Sequence, residues 1–232
     1  MTILLYDLVG ADASRPFSPH CWKAAMALAH KSLPFERVPT PFTKVPLVEG
    51  GAFKTVPVLR DRDTLVVDSF EIARYLDAAY PDRPSLFGGP GGEAAARFIE
   101  RWCQSTVQAQ LMRFVVADIW RRLSPVDQAY FRDSRERRLG MALEAVEATR
   151  DQSVAAFRSS LAPLRDMLSY QPFIGGDGPL FADYIVFGAF QWARVMSPFR
   201  TLETDDPVAL WLERCLDLHG GLGRAVPPAE AV

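Results

Sequence analysis

The sequence predicts a small α/β domain at residues 1–82 followed by an all-helical domain at 92–232. Three observations carry that expectation. Short β-rich runs and helical patterns alternate over the first 80 residues, and strand signals nearly vanish after them. Between the two lies "PDRPSLFGGPGG" (81–92), dense in Pro and Gly, where periodicity breaks as it does in a linker.

The elements follow in order. "TILLYDL" (2–8) is apolar and β-rich, a first strand. Residues 19–31 carry Trp22, Met26 and Ala29 on one side, with Ala25 and Leu28 beside them, which is helical spacing. "FERVP" (35–39) predicts a short second strand, and a Pro-rich loop runs on through Gly51. "VPVLRD" (56–61) and "TLVVD" (64–68) flank Arg62 and Asp63 as the arms of a hairpin do. "SFEIARYLDAAY" (69–80) reads as a helix stopped by Pro81. A helix between the first two strands makes them parallel, and a tight turn makes the last two antiparallel. That order is the layout of a thioredoxin-like sheet. Past the linker, residues 93–123, 126–150, 152–169, 181–196 and 206–219 read as helices. "RDSRERR" (132–138) interleaves acids with bases and reads as a solvated helix face.

Composition narrows the class. The chain has 232 residues, 49% hydrophobic and 23% charged, the balance of a globular protein with a sizeable core. A formal charge of -2 argues against a nucleic-acid partner. No apolar run approaches the roughly 20 residues that span a bilayer, so no membrane partner is expected. The first residues lack the basic start and long apolar segment of a secretory signal, and the expected location is cytoplasmic. Cys21, Cys103 and Cys215 are dispersed and odd in number, which fits neither a disulfide framework nor a zinc pattern. His20, His30 and His219 do not cluster with acids, so no metal site is expected. His20 and Cys21 point about 100° apart on a helix and read as ordinary helix residues.

Three junctions carry the chemistry. Ser18-Pro19 sits where the first strand gives way to a helix. Pro19 suits the first helical turn, which makes Ser18 the N-cap, next to unpaired backbone donors and the positive end of the helix dipole. Ser18 either caps its own helix or stabilises an anion such as a thiolate there. Val56-Pro57 opens the third strand, where proline marks a plain turn or a cis bond that turns the Val56 backbone outward to pair with a peptide-like ligand. Asp68-Ser69 precedes the next helix. Asp68 with Glu71 resembles a capping box, while Asp68 with Ser69 and the helix N-terminus suits an amino acid's ammonium and carboxylate.

A Ser-Pro after strand one, a Val-Pro opening strand three and an Asp-Ser after strand four, followed by a helical domain, resemble a glutathione transferase. The resemblance implies that Ser18 is the catalytic hydroxyl on the glutathione sulfur. It further implies that Val56 before Pro57 pairs with the cysteinyl backbone, and that Asp68 with Ser69 holds the γ-glutamyl end. Lys54 is the candidate for the glycyl carboxylate, with Lys44 as its rival. "LYDL", "SPHCW", "YLDAAYPDRPSLFGGP", "FIERWCQST", "FADY" and "LDLHGGLGR" look like the bacterial β-aryl etherases of lignin breakdown and their etherase-like transferase relatives. Two positions depart from that pattern. Gln104 stands where the etherase has a second tryptophan, and Leu180 stands where a Ser, Thr or Asn cap is expected ahead of Asp183.

The implied reaction is attack of the glutathione thiolate on a small hydrophobic or aromatic electrophile, with a homodimer as the implied assembly. Phe17 and the helix face carrying Gln104, Gln108 and Leu111 are expected to line the electrophile pocket, Leu111 taken alone reading more readily as core. A free thiol near pKa ~8.5 is only a few per cent ionised at pH 7, and a helix terminus plus one hydroxyl raises that fraction. Ser14 is the rival hydroxyl. A glutathione-dependent isomerase or reductase, and a non-enzymatic ligand- or protein-binding module, are the competing expectations. A Cys in place of Ser18 would mark the reductase.

Overall fold

The computed structural model describes residues 2–231. Four strands, β1 (Ile3–Leu8), β2 (Phe35–Thr40), β3 (Val58–Asp61) and β4 (Thr64–Val67), form one mixed sheet in the order β2-β1-β3-β4. β1 runs parallel to β2 and antiparallel to β3, with Leu5 opposite Leu59. β3 and β4 pair antiparallel with Val58 opposite Val67, leaving Arg62 and Asp63 as the two-residue turn. Helices α1 (Pro19–His30) and α2 (Ser69–Ala79) complete a thioredoxin-like unit with the expected strand directions.

The Pro-rich loop is more ordered than the sequence suggests. Residues Phe42–Gly51 form 3-10 turns, interrupted where Glu49 and Gly50 take positive φ. The sheet holds this segment: Tyr6 Oη donates to Glu49 Oε1 at 2.5 Å, and Arg60 pairs with the same carboxylate.

The helical half comprises α3 (Pro90–Trp102), a π-helical segment (Cys103–Gln108), α4 (Ala109–Arg121), α5 (Pro125–Leu139), α6 (Leu143–Glu147), α7 (Arg150–Ser160), α8 (Ala162–Tyr170), α9 (Phe181–Met196) and α10 (Pro207–Gly221). Two expected long helices are therefore broken. Gly140, at φ 73°, ends α5 with a left-handed cap. The second break falls at Leu161, just before Pro163, whose ring suits a first helical turn. Ser124 and Asp206 cap α5 and α10, each followed at once by proline. No described helix is long and apolar enough to cross a membrane.

α9 is buried all round, with only Ala182 and Arg194 partly exposed, as befits the central helix of a core. Its start relies on Asp183 rather than on a capping side chain. That carboxylate accepts from the backbone N–H of Ile174, Gly175 and Leu180 at 2.7–3.0 Å and from Trp211 Nε1 at 3.0 Å. The apolar Leu180 costs the helix a side-chain cap, worth about 1 kcal/mol, yet its N–H is satisfied.

The two halves meet along α1 and α9. At Gly188 an added Cβ would lie 2.3 Å from the Pro19 carbonyl oxygen, so only glycine permits this approach. The linker packs as well: Phe87 in the linker, Phe70 in α2 and Phe181 in α9 stack with ring centroids 5.4 Å apart. A polar chain closes the far end of α1. His30 Nε2 donates to the Ser85 carbonyl at 3.1 Å, so its Nδ1 must accept from Tyr184 Oη at 2.7 Å. Tyr184 then accepts from His219 Nε2 at 2.9 Å. Both imidazoles are neutral in this arrangement.

Candidate active site

A cleft of about 550 Å³ opens between the sheet end of the first half and α4, α5 and α9 of the second. Ser18 is on its wall, only 4% exposed, and several contacts fix it there. Phe17 N–H donates to the Leu8 carbonyl at 3.0 Å, and Trp22 Nε1 donates to the Pro16 carbonyl at 3.1 Å. Arg15 reaches across to the carbonyls of Val195 and Pro227 at 3.1 and 2.7 Å. Ser18 Oγ accepts the Cys21 N–H at 3.3 Å, three residues into α1. Capping uses a lone pair of the hydroxyl and leaves its proton free, so the two roles read from the sequence are compatible. Ser14 lies elsewhere: its exposed hydroxyl donates to Asp12 Oδ1 at 2.6 Å, and it does not line the cleft.

The Val56-Pro57 peptide is cis, with Val56 on the cleft wall and Pro57 buried behind it. Extending the β3–β4 register one and two steps from Val58 and Val67 sets Pro57 beside Asp68 and Val56 beside Ser69. Asp68 caps α2 through Oδ1, which accepts from Phe70 and Glu71 N–H at 2.8 and 3.2 Å. The reciprocal half of a capping box is missing, because the Glu71 carboxylate pairs with Arg74 and Arg97 instead. Asp68 has φ 75° and ψ 130°, a conformation that costs a non-glycine residue roughly 1–3 kcal/mol and tends to mark ligand clamps. Ser69 is 1% exposed and its Oγ has no hydrogen-bond partner among the described residues. A buried hydroxyl left unpaired at a helix N-terminus is a costly arrangement that an arriving acceptor relieves.

Of the expected residues, Phe17, Ser18, Lys54, Val56 and Gln108 line the cleft. Lys44 is exposed and does not. Gln104 and Leu111 are also outside it. Gln104 accepts from Arg101 at 3.2 Å on an outer face with Phe98 and Trp102, and Leu111 is fully buried in the core. Gln104 lies in the π-helical segment one turn before Gln108, and that turn is beyond the edge of the cleft. The wall is formed instead by Gln108, Met112 and Ile119.

Among the lining residues outside the sequence expectations, two carry charged or titratable groups in unusual surroundings. His20 sits half-buried on the cleft wall, with Nδ1 3.2 Å from Lys23 Nζ and Nε2 3.4 Å from the Gln108 amide. Lys23 is itself buried and paired with Glu100 at 3.1 Å. Burial, followed by the Lys23 charge, lowers the His20 pKa to about 3, which keeps the ring neutral. The second is Arg135, in the run expected to be a solvated face. Its guanidinium lies 4.6 Å from the Phe131 ring and 5.6 Å from that of Phe42. Phe42 is brought there by Asp127, whose carboxylate accepts the Thr43 N–H at 2.9 Å. The sequence expectations gave neither residue a role, His20 within "SPHCW" reading as an ordinary helix residue, and the packing of α1 and α5 brings both to the cleft.

The cysteines are poorly placed to react. All three are buried, and burial raises the Cys21 thiol well above its ordinary range and that of Cys103 to about 12. The described residues contain no group of His, Cys, Asp and Glu suited to a metal ion.

The family model described as the glutathione S-transferase N-terminal domain matches residues 17–79, and that for the C-terminal domain matches residues 94–217. The chain belongs to the glutathione S-transferase family. A probable glutathione S-transferase of rice (Oryza sativa subsp. japonica) is 26% identical over 85% of this chain and 80% of its own length. Glutathione transferase GSTFuA3 of Phanerochaete chrysosporium superposes with a TM-score of 0.77 at 26% identity, covering 100% of this chain and 99% of that one. A glutathione S-transferase of Ceriporiopsis subvermispora, solved in complex with glutathione, has a TM-score of 0.74 at 26% identity over 97% of each chain. These similar transferases are from plants and fungi, whereas the likeness read from the sequence ran to bacterial etherases.

Proposed function

We propose that this transferase binds glutathione along the Val56–Ser69 edge, ionises its thiol with Ser18, and transfers it to an aromatic electrophile held in the cleft. The observation that carries the reading is Ser18: a hydroxyl with a free proton, at the N-terminus of α1 and on the cleft wall. A helix terminus and one donor favour the thiolate with no acid or base required. Asp68 takes the γ-glutamyl ammonium, Ser69 with the α2 N-terminus takes its carboxylate, and Val56 pairs with the cysteinyl backbone. Lys54 takes the glycyl carboxylate. Phe17, Met112 and Ile119 supply an apolar wall for a ring, and Gln108 supplies an amide. In attack on an aryl ether the new C–S bond forms as the C–O bond breaks, and the aryloxide leaves with the electron pair.

A reductase would need a reactive cysteine at the cleft, and the buried Cys21 thiol makes a poor one. The homodimer belongs to the same proposal. Phe98, 70% exposed on α3 beside Trp102, gives it an apolar surface, and light scattering reads the mass.

The deciding experiment is calorimetric titration with reduced glutathione, followed by turnover of activated aryl halides and β-aryl ethers. Binding at micromolar to millimolar strength is expected, weakened in Asp68→Ala by about 10- to 100-fold, the scale of one charge-assisted contact. Absence of binding heat at saturating glutathione would sink the transferase reading and leave a ligand-binding module.

A further inference from the structure

The charges on the cleft wall are all of one sign. Lys54, Arg135 and Arg138 line it, and no aspartate or glutamate does. Within the run 132–138 the acids are already engaged: Arg137 pairs with Asp133, and Arg132 pairs with Glu136 and Glu144. Arg135 and Arg138 are left over. Among the described residues no carboxylate lies within ion-pair distance of Arg135. Its NH1 donates to Ser134 Oγ at 2.9 Å, and its buried Nε has no partner. The ionisable groups acting on it are Tyr130 and the like-charged Arg138. A half-buried cation beside another cation is costly until an anion arrives, and the surrounding apolar walls strengthen that attraction when it does.

We propose that the electrophile is an aromatic acid, its ring packed among Phe42, Tyr130 and Phe131 and its carboxylate bound by Arg135 with Arg138 beside it. A planar guanidinium between aromatic rings is the shape that receives a ring-borne carboxylate through two parallel N–H donors. The carboxylates of glutathione do not explain the pair, since Ser69, the α2 N-terminus and Lys54 already provide for them in the first half. This inference rests on the transferase reading for its chemistry. In the simplest case the glutathione sulfur bonds to the ring carbon, the carbon–halogen bond breaks, halide departs with the electron pair, and the thiol proton passes to solvent.

The test uses unreactive probes, so that binding is read apart from turnover. 3,5-Dinitrobenzoate and its methyl ester are titrated into wild type, Arg135→Gln, Arg135→Lys and Arg138→Gln, with and without S-methylglutathione. Arg135→Gln should weaken the acid about 10- to 100-fold while changing the ester less than twofold. Arg135→Lys should keep part of the preference, and Arg138→Gln should cost less than Arg135→Gln. With 4-chloro-3,5-dinitrobenzoate and its methyl ester, the acid-to-ester ratio of kcat/KM should fall in step. Equal loss for acid and ester would assign Arg135 to packing against Phe42 and Phe131. Loss of S-methylglutathione affinity would assign it to the thiol substrate. Either result overturns the proposal, as does a wild type that binds acid and ester alike. A protein that ignores glutathione yet keeps the Arg135-dependent preference would refute the transferase reading and leave the aromatic-acid site standing.

Discussion

His20 Nδ1 lies 3.2 Å from Lys23 Nζ, and an ammonium has donors but no lone pair, so the neutral imidazole accepts through Nδ1 and carries its proton on Nε2. That tautomer requires the Gln108 amide, 3.4 Å away, to turn its oxygen toward the ring. Glu100, 3.1 Å from the same ammonium, holds Lys23 in place. The cleft therefore holds a neutral N–H donor of fixed orientation close to Ser18 in the chain.

The first expectation concerns that donor. With its pKa lowered to about 3 by burial and then by Lys23, His20 should stay neutral from pH 5 to 8. Nitrogen-15 NMR of the imidazole should show the Nε2–H tautomer across that range. The pH profile of kcat/KM should then rise on one limb set by the bound thiol. A second break near 6.5 that vanishes in His20→Phe would mean that Lys23 does not hold the ring.

Ser18 and Ser14 are distinguishable by titration. Ser18→Ala removes the donor but leaves Pro19 and the α1 terminus, so glutathione binding should survive while turnover falls about 10- to 1,000-fold. Thiolate absorbance against pH should show a raised bound-thiol pKa in Ser18→Ala and none in Ser14→Ala, whose hydroxyl is committed to Asp12. The opposite pattern would reduce Ser18 to a helix cap.

Asp68 combines strain with capping, so its variants should separate the two. Asp68→Ala loses a cap worth about 1 kcal/mol and keeps the positive φ, and its Tm should drop. Asp68→Gly loses only a few tenths as a cap and relieves roughly 1–3 kcal/mol of backbone strain. Its Tm should match or exceed wild type. Both should lose glutathione affinity alike, because both lose the carboxylate. A glycine variant less stable than the alanine one would contradict the strain.

The His30–Tyr184–His219 chain makes stability depend on pH. Burial lowers both imidazoles from 6.5, His219 to about 4 with His30 as the next cause. Lys31 lowers the His30 value further, while the Ser85 carbonyl and Asp77 oppose the shift. The unfolded chain thus binds more protons between those values, and stability is complete above pH 6.5 and declines as pH falls toward 4. Tm should drop by several degrees from pH 7 to 5, at ~2–4 °C per kcal/mol for a chain of this size. Glutamine at both positions, His30→Gln and His219→Gln, should reduce that slope, the remainder coming from His20, whose pKa burial and Lys23 lower to about 3. Asp77 and Asp206, held below the usual carboxylate range, act at lower pH, whereas burial raises Asp7 and Asp183 and opposes the histidines' slope.

Three junctions around the cleft were legible because they are written in local punctuation. Ser18-Pro19, Val56-Pro57 and Asp68-Ser69 are junction signals, readable from backbone chemistry within a few residues. Gln104 was misplaced because helical spacing assigns a face but not how far along the helix a cleft extends, and this one reaches Gln108 but not the turn before it. His20 looked like a helix residue and Arg135 like part of a solvated stripe. Their surroundings, Lys23 with Gln108 and Phe42 with Phe131, come from elements far apart in sequence or from a face that periodicity could not assign. The Pro-rich segment ahead of Gly51 was read as loop because its order depends on Tyr6 and Arg60 gripping Glu49 from the sheet.

Gly188 limits how freely the two halves can be exchanged among related chains. Recombination at the linker would pair one parent's Ser18 helix with another parent's central helix, across a crossing where a hydrogen is all that fits. A parent with alanine at that position would push a methyl against the Pro19 carbonyl and shift the very end of α1 that carries the hydroxyl. Modularity in this architecture is therefore conditional: the α/β half and the helical half can be inherited separately only from parents that share this one missing side chain.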